Sequence, residues 1–324
     1  MTEIRTVAVV GAGRAGLQHA RAAELNGVRV VAHATRGVDS ERSRAFRREF
    51  PESKPFSMDD VSICEQADLV VLSVPPDVTH RVALGFIRAS QRILIEKPAA
   101  LTTHRIRELV QAERESGCDV VVGYNRRCYP LVAEICNVLR ADPPTQVNVA
   151  IVEDMSHVRS SKSSNLQSSY LRHGSATHFL DLVQFLVGPF SVREIRASKS
   201  QCDESFVDLV IRALGESGVP INISIDADDR SRRGLEISTA SGCRIHLSPL
   251  ENLSITYGPP PKDASATESS KSLESPNSYT DSFVRQFRKV VKGDTSALHR
   301  LNDSLRLSIV VDELELASSA IRND

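Results

Sequence analysis

Long apolar runs are missing from this sequence, and none approaches the ~18–20 residues that a membrane span needs. Net charge is missing as well. Forty Lys and Arg stand against 41 Asp and Glu, a formal balance of −1, so no overall field draws the chain to nucleic acid or to an anionic membrane. Cysteines are few. Cys64, Cys118, Cys128, Cys136, Cys202 and Cys243 are too sparse for a disulfide scaffold and include no C-x-x-C pair to hold zinc. They read as reduced thiols of a cytoplasmic protein. Met1–Arg5 leads straight into an apolar strand and not into a signal-peptide core, and no internal repeat is visible. Nucleic-acid-binding, membrane and secreted readings are excluded together. What is present is 324 residues, 41% hydrophobic and 25% charged, enough for about two domains.

The first 125 residues alternate strand and helix. Thr6–Val10, Val28–Ala34, Leu69–Val74, Arg92–Ile95 and Asp119–Val122 are apolar on both faces, as a parallel sheet covered on two sides requires. Arg14–Leu25, Ser40–Phe50 and Thr103–Ser116 read as helices, the last with Ile106, Leu109, Val110 and Glu113 at helical spacing. Short loops between them predict a doubly wound α/β domain.

After Tyr129-Pro130 the pattern changes. Val147, Val149 and Ile151 alternate with polar or small residues, and Phe206–Arg212, Val219–Asp226, Leu235–Thr239, Arg244–Leu247 and Leu253–Tyr257 follow at hairpin-like spacings. One helix interrupts them near Thr177–Val187, ended by Gly188-Pro189. The expectation is an α+β domain with a large, mostly antiparallel sheet. Gly258–Ser278 lacks an apolar period and reads as a surface loop, before closing helices at Tyr279–Lys292 and Ala297–Ile321. The boundary falls between domains 1–125 and 126–324, with the option of the C-terminal helix packing back on the first.

Gly11-Ala12-Gly13-Arg14-Ala15-Gly16 is a G-x-G-x-x-G between an apolar strand and a helix. The first glycine allows the tight turn, the second lets backbone approach a pyrophosphate, and the third lets helix and strand pack closely. The helix N-terminus then offers free N–H groups and a positive dipole end to phosphates. This predicts a Rossmann dinucleotide-binding domain. A carboxylate about 20 residues past such a motif holds the ribose 2′-OH of NAD. Here Thr35 and Arg36 stand at that place; no carboxylate repels a 2′-phosphate, and a guanidinium is there to pair with it. NADP(H) is therefore favoured over NAD(H). The alternative is that Arg36 is a solvated loop charge and Asp39 takes the acidic role.

Val74-Pro75-Pro76 ends the fourth strand and is followed by His80; Glu96-Lys97-Pro98 ends the fifth; Gly123-Tyr124-Asn125-Arg126-Arg127 ends the sixth. With the glycine motif and His19, the chain resembles the glucose–fructose oxidoreductase/inositol dehydrogenase (Gfo/Idh/MocA) family, specifically over the first domain and by architecture over the second. The resemblance implies an NAD(P)-dependent oxidoreductase that moves a hydride between nicotinamide C4 and a carbon of a sugar, cyclitol or sugar nucleotide. It implies dinucleotide contacts from Gly11, Gly13, Arg14, Ala15, Gly16, Thr35, Arg36, Pro75, His80, Glu96, Lys97 and Asn125. Lys97 is implied to lie between nicotinamide and the substrate hydroxyl. The chemistry independently wants a cation there, because charge grows on the reacting oxygen. Pro98 keeps its predecessor out of the helical region, so Lys97 belongs to a strand end. The competing reading is a surface lysine.

The family's second motif, G-G-x-x-x-D-x-x-x-H, corresponds to the stretch from Tyr170 to Asp181. His178 and Asp181 match its H-x-x-D, but Gly174 stands where the family commonly has an Asp. Near a helix N-terminus the dipole keeps the His178 imidazole neutral and able to take a proton, and Asp181, one turn on, can hold its tautomer. The plainer alternatives are a first-turn polar histidine and a carboxylate that only complements the dipole. His173 is a weaker candidate for the space left at Gly174. Substrate contacts are expected from Lys97, Asn125, Arg127, Tyr170 and His178, with stabilisation of the interdomain linker as the other reading of Asn125 and Arg127. His157, His246 and His299 lack metal-ligand spacing and read as structural; no metal site is expected.

Three functions compete. The first is an NADP(H)-dependent sugar or sugar-nucleotide dehydrogenase of carbohydrate metabolism. The second is a reductase of a non-sugar carbonyl, since biliverdin reduction and dihydrodiol oxidation also occur on this architecture. The third is a non-catalytic NADP-sensing regulator like the galactose co-repressor, which Gly174 keeps open. A homodimer or homotetramer is expected through an apolar open face of the second-domain sheet, with no nucleic-acid or membrane partner.

Overall fold

The computed structural model describes residues 3–153, 169–201, 206–227, 233–257 and 270–322. Cys202, His157 and residues 258–269 of the expected loop lie outside them. Two compact units emerge, Met1–Cys128 with Thr280–Ser308, and Tyr129–Tyr279 with Ile309–Asp324.

The first unit holds six parallel strands: β1 (Thr6–Val10), β2 (Arg29–Thr35), β3 (Lys54–Ser57), β4 (Leu69–Leu72), β5 (Arg92–Ile95) and β6 (Asp119–Val122). Their order is β3-β2-β1-β4-β5-β6. Helices α1 (Arg14–Glu24), α2 (Glu41–Glu49), α3 (Pro76–Ala89) and α4 (Thr103–Ser116) connect them. Val7–Val10 and all four residues of β4 are buried, which is why these strands read as unbroken apolar runs. Edge strand β3 (KPFS) carries no such signal, and its proline is tolerated at a sheet edge. Ser40 caps α2 by accepting from the Ser43 amide, and Gly117 ends α4 with φ at +70°. Strand order reverses between β1 and β4, so the ligand crevice of such a sheet opens at the carboxyl ends of those two strands.

Helix α8 (Ser278–Lys292) brings Phe283, Phe287 and Val290 into the core that Ile4, Val7, Val9, Phe46 and Phe50 begin. That burial groups residues 280–308 with the first unit. The last helix, α9 (Leu301–Arg322), starts later than the expected Ala297 because His299 is tied to β6: its carbonyl accepts from the Val122 amide at 2.9 Å.

The second unit is an α+β layer. Helices α5 (Pro130–Ala141), α6 (Tyr170–His173) and α7 (Ala176–Val187) accompany strands β7 (Pro144–Val152), β8 (Phe190–Lys199), β9 (Val207–Gly215), β10 (Pro220–Asp226), β11 (Gly234–Thr239), β12 (Arg244–Leu247), β13 (Asn252–Thr256) and β14 (Ser270–Glu274). The sheet runs β14-β13-β12-β11-β7-β10-β9-β8, antiparallel except for the β7–β10 pair. Residues 270–274 are therefore a strand and not the end of a loop. At the sheet edge their charged side chains stay in water, and Leu273 alone is half-buried.

Alternation along these strands sends Val147, Val149, Ile151, Ile221, Ile223, Ile225, Leu235 and Ile237 inward, where α7 packs on β7. The opposite face carries Asn148, Arg212, Asn222, Ser224, Glu236 and His246, with Val210 as its exposed apolar residue at 55%. The open face, expected to be apolar, carries mainly polar side chains among the described residues. Among the described residues no helix is long and apolar enough to cross a membrane.

Candidate active site

On the first unit the glycine loop is shaped by close approach. Gly11 has φ at +103°, and a β-carbon there would run into the Ser73 carbonyl at the end of β4. A β-carbon on Gly16 would strike the carbonyl of Gly11. Gly13 is different. Nothing lies within 4 Å of where its β-carbon would be, so the loop leaves open space on that side. Gly13 is also the N-cap of α1 and provides no side-chain hydrogen bond, so the amides of the first helical turn, which have no acceptor within a helix by geometry, face the loop without a cap side chain. A glycine-made opening over uncapped helix amides fits a diphosphate.

At the end of β2, Thr35 is buried, and its hydroxyl donates to the Gly37 carbonyl at 2.7 Å. Arg36 is exposed and makes no hydrogen bond or ion pair among the described residues. The Asp39 carboxylate is 91% exposed and lies 3.8 Å from Arg47. Deeper in β2, the wholly buried His33 ring is held between Ser53 and Ser43 hydroxyls at 2.7 and 2.8 Å and stacks on Phe46. Burial, with Arg47 nearby, lowers its pKa to about 4.

Glu96 closes β5. One carboxylate oxygen lies 2.7 Å from Nε2 of the buried His19, and the other accepts from the Lys97 amide at 3.1 Å. A β-carbon at Gly123, beyond β6, would come within 3.1–3.2 Å of this carboxyl group, so the glycine makes room for it. His19 rests edge-on against Phe283 at 4.9 Å. This chain of contacts fixes the backbone of Lys97, whose side chain is half-buried.

Other expected residues of the first unit have these surroundings. His80 lies 2.8 Å from Glu108 of α4, and burial, opposed by that carboxylate, lowers its pKa. Pro75 is exposed at the start of α3, and Asn125 is buried in a short 3₁₀ turn. Arg127, expected to present donors to substrate, is buried with its guanidinium directed to Asp303 at 3.3 Å and His299 at 3.1 Å. Those partners come from 172 or more residues away, which the local sequence cannot show.

On the second unit, His178 is the third residue of α7 and is half-buried, and Asp181 is wholly buried one turn further. The start of the helix is capped by a residue the sequence reading missed. Glu153, at the end of β7 and 5% exposed, accepts from the Ser175 amide at 2.8 Å and from the Ala176 amide. A β-carbon at Gly174 would lie 2.6–2.8 Å from its carboxyl atoms. The only sequence sign of Glu153 is the acidic pair Glu153-Asp154 following an apolar strand. Tyr170 is buried, its hydroxyl 3.4 Å from Ser318 and its ring against Phe206. Arg172 is buried beside Asp312 and Glu315 of α9.

Residues 5–124 match the sequence model of the Gfo/Idh/MocA group, described as an oxidoreductase family with an NAD-binding Rossmann fold. Inositol 2-dehydrogenase 2 of Saccharopolyspora erythraea is 28% identical over 189 residues, 56% of this chain and 53% of that protein. Inositol 2-dehydrogenase of Acidothermus cellulolyticus is 29% identical over 198 residues, 59% of this chain and 55% of that one. The chain thus spans about half the length of these curated relatives. A solved structure of levoglucosan dehydrogenase with NADH and levoglucosan shares the fold, with a TM-score of 0.80 at 16% identity over 98% of this chain and 97% of that one.

Proposed function

We infer, from a chain that belongs through residues 5–124 to the Gfo/Idh/MocA oxidoreductase family, that this protein moves a hydride between a nicotinamide dinucleotide and a carbon of a sugar, cyclitol or sugar nucleotide. The strand-end geometry of the first unit carries the reading: a glycine loop opened at Gly13, an uncapped helix start, and Glu96–Lys97 two strands away. Relatives named inositol 2-dehydrogenase support a polyol as substrate.

The dinucleotide, when bound, supplies nicotinamide C4 as hydride donor or acceptor. The amides of Arg14, Ala15 and Gly16 hold its diphosphate. Arg36, exposed and uncommitted, reads a 2′-phosphate, which favours NADP(H) over NAD(H). Lys97 places its ammonium at the reacting oxygen and stabilises the charge that develops there. Glu96, itself fixed by His19, positions the Lys97 backbone. His178 takes the hydroxyl proton in oxidation and returns it in reduction. The helix dipole favours its neutral form, and the Glu153 carboxylate at the same helix start offsets part of that dipole. Asp181, wholly buried, is assigned a positioning role.

The test is hydride transfer to NADP⁺ or NAD⁺ from myo-inositol, other polyols and sugar nucleotides, followed by absorbance of the reduced nicotinamide. Tight dinucleotide binding with no transfer to or from any polyol or ketosugar would move the chain to the sensing role.

A further inference from the structure

Arg233, just before β11, carries a guanidinium that pairs with no carboxylate among the described residues. One donor is used, with Nη2 giving a hydrogen bond to the Ser175 hydroxyl at 3.1 Å. The guanidinium lies over the Phe179 ring at 5.2 Å from its centroid. Its Nε–H is buried with no acceptor among the described residues. A guanidinium offers five donors in a planar fork, and this half-buried one, with its Nε–H enclosed, keeps donors that no acceptor among the described residues uses.

The surroundings hold Arg233 in place. Its carbonyl accepts from the Ser248 hydroxyl at 3.0 Å, which pins the backbone. The carboxylate at this helix start, Glu153, already accepts from the Ser175 and Ala176 amides. Ser175 joins the arginine to the proposed chemistry: its hydroxyl takes the Arg233 donor while its carbonyl accepts from the His178 amide at 3.0 Å. An oxyanion seated on the fork would thus be anchored through the residue that also holds the backbone of the proton-transfer histidine.

We propose that Arg233 is the anion-reading residue of the substrate site, and that the substrate is an acidic carbohydrate whose carboxylate or phosphate pairs with its guanidinium. This rests on the hydride-transfer reading only for the word substrate; the binding claim stands on Arg233 itself. Bidentate pairing of carboxylate or phosphate with a guanidinium is geometrically matched, and its loss corresponds to about a 10- to 100-fold drop in affinity.

The experiment is calorimetric titration of the full-length chain, with NADPH present, using D-glucuronate, D-glucose 6-phosphate, myo-inositol 1-phosphate and their neutral counterparts D-glucose and myo-inositol. At least one acid is expected to bind about 10-fold or more tightly than its neutral counterpart, and whether that is a uronate or a phosphate ester identifies the source of the anion. Arg233→Gln should erase the preference, Arg233→Lys should keep part of it, and Arg212→Gln, on the polar sheet face, should leave it intact. The thermal midpoint of each variant reports folding. If no acid binds ahead of its neutral counterpart, or if the preference survives Arg233→Gln, the assignment is overturned. Acid-selective binding without hydride transfer would overturn the proposed reaction and leave Arg233 standing, whereas turnover of neutral sugars with no acid preference would do the reverse.

Discussion

The carboxylate of Glu153 occupies the space that a side chain at Gly174 would fill, and it uses that position to cap α7. The two residues are complementary: the glycine is small because the glutamate is there. This also explains how a helix bearing His178 starts without a side-chain cap of its own.

Gly174→Ala should therefore destabilise the protein by about 1–3 kcal/mol, since the new β-carbon displaces a charged cap from two amides. In a Glu153→Ala background the same change should cost much less, because the clash is gone. Denaturant unfolding of the four proteins in this cycle measures the coupling; additive effects would break the pairing.

Arg36→Ala should weaken NADP(H) far more than NAD(H), by about 1.5–3 kcal/mol, because only NADP(H) has the 2′-phosphate. Equal losses for both dinucleotides by fluorescence titration would show that Arg36 is not the reader.

Lys97→Met should lower kcat severely while leaving NADPH affinity within a few fold. His178→Asn should cost roughly 10²–10⁴ in rate and flatten the limb of the pH–rate profile that reports its ionisation. An unchanged profile with intact turnover would remove His178 from proton transfer and leave that step to Lys97.

His33 should make the protein acid-sensitive. Its folded pKa, about 4, lies below its ordinary value of 6.5, so between those values the unfolded chain binds the extra proton. Stability is whole above pH 6.5 and is lost as pH falls through 4, by about 3 kcal/mol. Urea unfolding across that range should show the slope, and a His33→Asn variant should lose this one-proton component.

The sequence was most legible where burial is two-sided. Thr6–Val10, Arg92–Ile95 and Asp119–Val122 have the same ends in the structure as in the reading, because apolar runs mark central parallel strands. Edge strands Lys54–Ser57, Phe190–Lys199 and Ser270–Glu274 escaped, since one face or none is buried and their residues look like loop. At the site, contiguous motifs were visible: the glycine loop, Glu96–Lys97 and His178. Glu153 and Arg233 were not, because each acquires meaning from Ser175, 22 and 58 residues away. Arg127 and Tyr170 were visible, but their chain-distant partners Asp303, His299 and Ser318 were not.

The core of the first unit is finished by residues made long after its sheet, Phe283, Phe287 and Val290. His19 needs Phe283 at its ring edge, and Asn26 reaches the Val284 carbonyl at 3.1 Å. At roughly 5–20 residues per second of synthesis, the stretch from Cys128 to Ser308 takes on the order of 10–40 s to emerge. During that interval the nascent first unit must wait with the face that later receives Phe283, Phe287 and Val290 uncovered. A chain stalled or cut before α8 would therefore present an apolar surface to chaperones and proteases.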